Sequence, residues 1–209
     1  MGQQLMNDTR ITKSRRVAIV IFDEVEVLDF CGPFEVFAVT GRRQSETPFQ
    51  IVTVAEEMKP ITARGGLSIN PSHDFAGCPQ IDILLIPGGM GTRREMNNPT
   101  LIQWLTERAG KAELVLSVCS GALVLAKAGL LEGMTATTHH GALEELRNVS
   151  PSIAIDASQR FIDNGRVIVS AGIAAGIDMS LHVVARLLGG EQARETARYM
   201  EYPLAQPDS

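Results

Sequence analysis

One cysteine stands in the middle of the segment S-V-C-S-G at residues 117–121, between an apolar run and a run with helical spacing. A strand, a sharp turn that carries the nucleophile and then a helix form the plan of a nucleophile elbow. Small neighbours let the chain bend, and the positive end of the helix favours a thiolate, so the pattern predicts a lowered pKa for Cys119. The alternative is an inert buried cysteine, which this corner alone leaves open.

Two other corners carry groups that could act with this thiol. The loop P-G-G-M-G at residues 87–91 follows an apolar strand, and its bare backbone N–H groups could bind an anion or a developing oxyanion. Asp29, in L-D-F-C-G-P, comes where the first strand gives way to the first helix, and it could exchange protons with a thiol. Taken alone, the loop is equally compatible with a tight turn, and Asp29 with a capping or solvated acid.

Alternating strands and helices would bring these corners together. The pattern predicts strands at 16–22, 50–55, 81–86 and 113–118, β-hairpins within 60–70 and 160–170, and helices opening at Gly32-Pro33 and spanning 99–110, 121–128, 173–188 and 192–199. Such alternation predicts an α/β fold with a mostly parallel sheet covered on both faces. Ligands of such sheets bind beyond the carboxyl ends of the strands, where the three corners would meet.

Composition limits the class of protein. The chain has 209 residues, of which 44% are hydrophobic and 21% charged, and we expect one domain at 16–209 after a disordered or extended tail at 1–15 that lacks the features of a secretory signal. A net charge of -5 argues against a nucleic-acid partner, and the apolar runs are too short for a membrane span. Cys31, Cys78 and Cys119 show no metal-binding spacing, which predicts free thiols in the cytoplasm.

Four long segments resemble the DJ-1/PfpI superfamily, a flavodoxin-like fold related to class I glutamine amidotransferases. They are I-F-D-E-V-E-V-L-D-F-C-G-P-F-E-V-F, I-D-I-L-L-I-P-G-G-M-G, S-V-C-S-G-A-L-V-L-A-K-A-G-L-L-E-G-M-T-A-T-T-H-H and A-G-I-A-A-G-I-D-M-S-L-H-V-V-A-R-L-L-G. The resemblance implies a three-layer sandwich around the parallel sheet. Within the superfamily, L-D-x-x-G-P, S-V-C-S-G, A-T-T-H and the closing E-Y-P are most similar to the isonitrile (isocyanide) hydratase branch.

The resemblance also implies roles for individual residues. Cys119 would be the nucleophile, and Asp29 would be its acidic partner, where many members carry a glutamate. Ser120 would lie beside the thiol, and the backbone N–H of Gly89 would face it. Gly88 would belong to the same pocket.

Two further residues are candidates for the pocket. His139 falls where other members have a histidine near the site, but it is equally compatible with a polar lining or interface residue. Cys31 is expected to be a small apolar filler, and its alternative is a second thiol that senses or resolves oxidation of Cys119. His182 is expected to be structural, and Asp178 to be a solvated or capping acid.

Membership of the hydratase branch would imply an enzyme that converts an isocyanide into an N-substituted formamide. The thiolate would add to the terminal carbon to give a thioimidate, and Asp29 would serve as acid and then as base. That double role requires a raised pKa, which partial burial beside Leu28 and Phe30 would supply. The resemblance implies no cofactor and no metal, a small-molecule substrate and a homodimer.

Three other functions remain open at this stage. The motif G-P-F-E-V-F also occurs in the ligand-sensing domain of AraC-type transcription regulators, although we expect no room for DNA-binding helices before residue 209. A DJ-1-type glyoxalase or stress-response protein would use the same thiol. An amidase or peptidase ranks last, because PfpI-type proteases carry histidine where this chain has Ser120.

Overall fold

The computed structural model describes residues 14–42 and 47–203. Arg15 already belongs to the first strand, and residues 1–13 of the predicted tail lie outside the described residues. The strands are β1 (Arg15–Val20), β2 (Phe49–Ala55), β3 (Ile61–Thr62), β4 (Ser68–Ile69), β5 (His73–Asp74), β6 (Ile83–Ile86), β7 (Leu114–Val118), β8 (Thr135–Ala136), β9 (Ala154–Ile155), β10 (Phe161–Asp163) and β11 (Val167–Ser170). The helices are α1 (Val27–Val39), α2 (Thr92–Glu95), α3 (Pro99–Ala109), α4 (Gly121–Lys127), α5 (Leu143–Val149), α6 (Ala175–Leu188) and α7 (Gly190–Tyr199).

A seven-stranded sheet with the order β10-β11-β7-β6-β1-β2-β5 forms the centre of the fold. Only the β10–β11 pair is antiparallel, and the other neighbours are parallel. Every residue of β6 and β7 is buried, as expected for strands that helices cover on both faces. Helices α1, α6 and α7 pack on one another in one group, and α2, α4 and α5 in another. The predicted α/β, flavodoxin-like class is confirmed.

Both predicted hairpins are present, and glycine makes their turns possible. Asn164-Gly165 joins β10 to β11, and Gly165 has a φ of 86°. In the β3–β4 hairpin Gly65 and Gly66 have φ values of 77° and 84°, which residues with a Cβ rarely adopt.

Three helix starts differ from the sequence prediction, and one of them is that of α7, which begins at Gly190 rather than Gln192. Helix α1 begins at Val27 rather than at Gly32-Pro33, so Pro33 lies inside the helix. Helix α6 begins at Ala175 rather than Ile173, because Ile173 has a φ of 54° and cannot be helical. The short helices α2 and α5 were not predicted. In the described part of the chain, no helix combines the length and apolar character needed to cross a membrane.

Close packing of α6 positions the two corners that carry the thiol and the carboxyl. A Cβ on Gly176 of α6 would lie 2.9 Å from Val118 Cγ1, the residue before Cys119. A Cβ on Gly32 of α1 would lie 3.0 Å from Ile177 Cγ1 of α6. These two glycines therefore let α6 approach both β7 and α1, which fixes the helix that carries Asp29 against the turn that carries Cys119.

Candidate active site

Cys119 lies at the tip of a strained turn between β7 and α4. Its φ of 57° is in the left-handed region, which is uncommon for a residue with a side chain. Its N–H lies 3.2 Å from the Ser170 carbonyl and 3.1 Å from the Ala171 carbonyl, and the hydroxyl of Thr138 donates to its own carbonyl at 2.7 Å. The turn thus has the geometry that the elbow pattern predicts, and neighbouring backbone holds it there.

Asp29 lies in the first turn of α1, not in the loop that the sequence predicted, and its side chain is fully buried. Oδ2 accepts a hydrogen bond from the Gly88 N–H at 3.0 Å, while Oδ1 has no well-aligned partner. Burial, with a smaller contribution from the negative charge of Glu26, raises the pKa of this carboxyl from 3.8 to about 7. The Cys119 thiol and the Gly88 and Ile173 N–H groups oppose that rise.

The predicted lowering of the thiol pKa is wrong. Burial, followed by repulsion from the Asp29 carboxylate, raises the pKa of Cys119 from 9.0 to about 12. The N–H groups of Ser120 and Ile173 face the sulfur and act in the opposite direction, but they do not outweigh burial. The carboxyl and the thiol lie next to each other across Gly88 and influence each other's ionisation, so near neutral pH the sulfur keeps its proton.

Gly88 is the point where the three corners come closest. A Cβ at this position would lie 2.7 Å from Asp29 Oδ2, 2.7 Å from the Ser120 nitrogen and 2.8 Å from Cys119 Cβ. Its carbonyl accepts from the Glu26 N–H at 2.9 Å, which fastens the glycine loop to the start of α1. Only glycine allows the carboxyl and the thiol to approach each other across this loop.

Gly89 and Ser120 have different partners from those the sequence suggested. The Gly89 N–H donates to Ser120 Oγ at 3.1 Å, so it does not face the sulfur as a free donor. Thr92 donates to the Gly89 carbonyl at 2.7 Å, and its Oγ1 lies 3.1 Å from Ser120 Oγ. The Ser120 hydroxyl therefore ties the elbow to the glycine loop, while its backbone N–H is the group that faces the thiol.

Sequence reasoning missed three residues of this region. Ile173, expected inside a helix, turns its N–H toward both Cys119 and Asp29 because of its left-handed backbone. In the sequence, Thr138 stood out only as a neighbour of His139. Nothing in the sequence indicated a role for Thr92, because a threonine after a glycine loop is common. These three residues orient the elbow, which local spacing cannot show.

The two additional pocket candidates lie apart from the thiol–carboxyl pair. His139 Nδ1 accepts from the Gly141 N–H at 3.1 Å, and the His139 ring packs on His140 with centroids 4.1 Å apart. Burial, followed by the electrostatic effects of the neighbouring His140 and Arg93, lowers the pKa of His139. Cys31 is half-buried and follows Asp29 by two helical positions, which turns it to the other side of α1. This placement favours the filler interpretation of Cys31 over a resolving thiol.

Two side chains of α6 form polar contacts that also bear on the sequence expectations. Asp178 is not simply solvated: it forms an ion pair with Arg160 and accepts from the Tyr202 hydroxyl at 2.9 Å. His182 lies 2.7 Å from Asp163, which agrees with a structural role. No cluster of metal-binding side chains occurs within 14–42 or 47–203.

Comparison with known proteins identifies the family. The model of the DJ-1/PfpI family matches residues 15–186. This chain belongs to the DJ-1/PfpI family. It is 33% identical over 192 residues to isonitrile hydratase of Pseudomonas putida, covering 92% of this chain and 80% of that enzyme.

A crystal structure of a ThiJ/PfpI family protein from Pseudomonas syringae superposes with a TM-score of 0.84 and 30% identity, covering 97% of this chain and 81% of that one. The HTH-type transcriptional regulator GbdR of Pseudomonas aeruginosa is 25% identical over 175 residues. That match covers 84% of this chain but only 47% of the regulator. The relatives of this chain therefore include both an enzyme and a transcription regulator.

Proposed function

We propose that this protein is a lyase that hydrates isocyanides, with Cys119 as nucleophile and Asp29 as the group that moves protons. The observation that carries the proposal is the buried contact between a carboxyl with a pKa of about 7 and a thiol at a strained elbow. The 33% identity to isonitrile hydratase supports the choice of substrate. A carboxyl that titrates near neutral pH can act as both acid and base in one cycle.

The first half of the reaction adds the thiol across the terminal carbon of R–N≡C. The sulfur of Cys119 bonds to that carbon, its proton passes to the Asp29 carboxylate, and Asp29 delivers the proton to the same carbon. One S–H bond breaks while S–C and C–H bonds form, which gives the thioimidate Cys119–S–CH=N–R. The Ser120 and Ile173 N–H groups stabilise negative charge on the sulfur while it forms.

The second half releases the product with water. Asp29 takes a proton from water as the oxygen bonds to the thioimidate carbon, and it gives that proton to the nitrogen. The resulting S–CH(OH)–NHR intermediate loses its C–S bond, and the hydroxyl proton returns to the sulfur through Asp29. The N-substituted formamide leaves, and the pair regains its starting protonation.

Turnover of cyclohexyl isocyanide by the purified protein tests this proposal. Cys119→Ala should abolish formation of N-cyclohexylformamide, and Asp29→Asn should lower kcat by about 10²–10⁴-fold, with partial recovery in Asp29→Glu. Cys78→Ala is the matched control, because Cys78 is a buried cysteine that belongs to the core and not to the site. Undiminished turnover in Cys119→Ala would remove the covalent mechanism.

The relationship to GbdR supports a second candidate, a ligand-sensing domain. Sensing requires reversible binding that survives loss of the thiol, whereas hydration requires the thiol. Calorimetry of Cys119→Ala with cyclohexyl isocyanide and N-cyclohexylformamide, beside turnover by the parent protein, separates the two. Binding without turnover by the parent protein would favour the sensor.

A DJ-1-type glyoxalase or stress-response protein is the remaining alternative. A buried thiol that keeps its proton at neutral pH is a poor target for oxidation, which disfavours this alternative. Methylglyoxal turnover that exceeds isocyanide turnover would reverse the ranking. We also propose that the protein forms a homodimer and is located in the cytoplasm.

A further inference from the structure

A depression opens next to the turn that carries the thiol. It is a cavity of about 410 Å³, and its walls include Thr138, His139, Leu143, Ala157, Gly172 and Ile173. Cys119 and Asp29 do not line it, so it is a neighbouring compartment and not the reacting centre itself. Its volume is within the usual range for small-molecule sites.

Three of the lining residues contact Cys119 directly. The Ala171 carbonyl accepts the Cys119 N–H at 3.1 Å, and the Thr138 hydroxyl donates to the Cys119 carbonyl at 2.7 Å. The Ile173 N–H faces the Cys119 sulfur. When the carbon of a substrate is bonded to this sulfur, the substituent of that substrate therefore lies beside this cavity.

The walls of the cavity consist of small, aliphatic, hydroxyl and imidazole side chains. None of the lining residues is Asp, Glu, Lys or Arg. Burial keeps His139 neutral by lowering its pKa, and the hydrogen bond from Gly141 to Nδ1 leaves the ring proton on Nε2. Arg93, whose charge acts on His139, is paired with Glu145 at 2.7 Å and donates to the Gly89 carbonyl at 3.3 Å.

We infer that this cavity takes the N-substituent of the isocyanide and that it selects an uncharged substituent. The inference rests on the proposed function and names its substrate class. A carboxylate placed here would lose water and find no lysine or arginine in the walls to replace it. A ring or alkyl group would instead pack on the His139–His140 pair, whose rings lie 4.1 Å apart, and on the alanine and leucine walls.

Isocyanoacetate and its ethyl ester form a matched pair of substrates for the test, because they share the reacting group and differ in charge. We expect kcat/KM for the ester to exceed that for the anion by at least about tenfold, the effect of one poorly solvated charge. Equal or better use of the anion would overturn the inference.

The Asp29 carboxylate also repels an anion, so a variant must isolate the effect of the cavity. Ala157 is an exposed lining residue, and the adjacent Asp156 is engaged by Ser158. Ala157→Arg should reduce the preference for the ester by about tenfold, because it supplies the missing cation. Ala76→Arg, an equally exposed position beside Trp104, is the control and should leave the preference unchanged. An unchanged preference in Ala157→Arg would contradict the inference.

Alkylation of the thiol keeps the test informative if no isocyanide is turned over. Iodoacetamide and iodoacetate differ in charge, and their rates with Cys119 can be measured by mass spectrometry and divided by their rates with N-acetylcysteine. A normalised preference for iodoacetamide that falls in Ala157→Arg but not in Ala76→Arg would support the neutral cavity even though the hydratase proposal had failed. The same normalised preference in the parent protein, Ala157→Arg and Ala76→Arg would contradict a role of the cavity in selecting uncharged groups.

Discussion

The thiol and the carboxyl of this site set each other's ionisation. A helix N-terminus stabilises a nearby anion by about 0.3–2 kcal/mol, whereas removing a charged group from water costs several kcal/mol. Burial therefore decides the outcome, and it raises the pKa of both Asp29 and Cys119. Between about pH 7 and pH 12 the pair holds one proton, on the sulfur, and Asp29 is the base that can receive it.

The pH dependence of turnover follows from this shared proton. The reactive form needs an ionised Asp29, whose pKa is about 7, so kcat/KM for cyclohexyl isocyanide should fall as the pH drops below 7. The thiol pKa of about 12 predicts no alkaline limb in the accessible range. Steady-state rates from pH 5 to pH 9, corrected for the uncatalysed reaction, provide the measurement, and the acid limb should be absent in Asp29→Asn. Rates that rise on acidification would show that the protonated carboxyl starts the reaction.

The contribution of Asp29 to the stability of the fold should decrease as the pH rises, because its pKa in the folded protein is raised. Folded Asp29 binds its proton more tightly than the unfolded chain does, with a pKa of about 7 against 3.8, so this contribution is complete below about pH 4 and is lost as the pH rises through 7. Asp29→Asn stays neutral and can keep the Gly88 hydrogen bond. Its advantage in free energy of unfolding over the parent protein should therefore grow between pH 5 and pH 8, by about 2–3 kcal/mol.

Urea unfolding at pH 5 and pH 8 measures this effect, and Asp163→Asn is the contrasting control. Burial opposes ionisation of Asp163, but the His182 hydrogen bond, the Gly165 N–H and the Arg186 charge together lower its pKa. Ionised Asp163 therefore stabilises the fold at a pH above the pKa of this residue in the unfolded chain, and this stabilisation is lost as the pH falls through its lower pKa in the folded chain. Asp163→Asn should consequently be less stable than the parent protein at pH 8. A stability difference for Asp29→Asn that does not change with pH would show that the buried carboxyl is not destabilising when charged.

At the scale of elements, hydrophobic pattern and turn chemistry were enough to predict β1, β2, β6 and β7, both hairpins and the corners that meet at the sheet edge. They did not predict the two-residue strands β5, β8 and β9, which are too short to carry a pattern. Helix boundaries were less predictable, because Pro33 usually marks a first turn but here packs inside α1, close to Gly176. The left-handed backbone of Ile173 depends on tertiary contacts that no local pattern carries. The same is true of the Gly89 N–H, whose partner Ser120 is 31 residues away.

Helix α6 should be sensitive to any added volume at its contact with β7. Gly176→Ala would place a methyl group 2.9 Å from Val118 Cγ1, a branched side chain in a buried strand, and should cost about 1–3 kcal/mol of stability. Val118→Ala removes the obstructing atoms, so the double variant should be more stable than the sum of the two single changes predicts. Gly32→Ala meets only the Ile177 side chain at 3.0 Å and should cost less. Chemical denaturation of the parent protein, Gly176→Ala, Val118→Ala and the double variant gives the thermodynamic cycle. Strictly additive changes in the free energy of unfolding would contradict a direct contact.

At the scale of the molecule, one side of α1 faces the site and another faces outward. Asp29 points to the thiol, while Leu28, Cys31 and Phe34 lie within about 120° of one another on the outer side. Leu28 and Phe34 each remain 38% exposed, as does Ile173 beside the site. Large apolar side chains grouped in this way on a surface are typical of a protein interface. The outer face of α1 is therefore the surface that we propose for the homodimer.

Replacing Phe34 by glutamate tests that surface. A carboxylate in the centre of an apolar interface would be buried without a partner in both subunits, so Phe34→Glu should dissociate the dimer. Leu67→Glu is the matched control, because Leu67 is 46% exposed and belongs to the β3–β4 hairpin, not to the outer face of α1. Sedimentation equilibrium should give twice the 22.6 kDa chain mass for the parent protein and for Leu67→Glu, and the single-chain mass for Phe34→Glu. A parent protein that sediments as one chain would refute the dimer, and a dimeric Phe34→Glu would place its interface on another face.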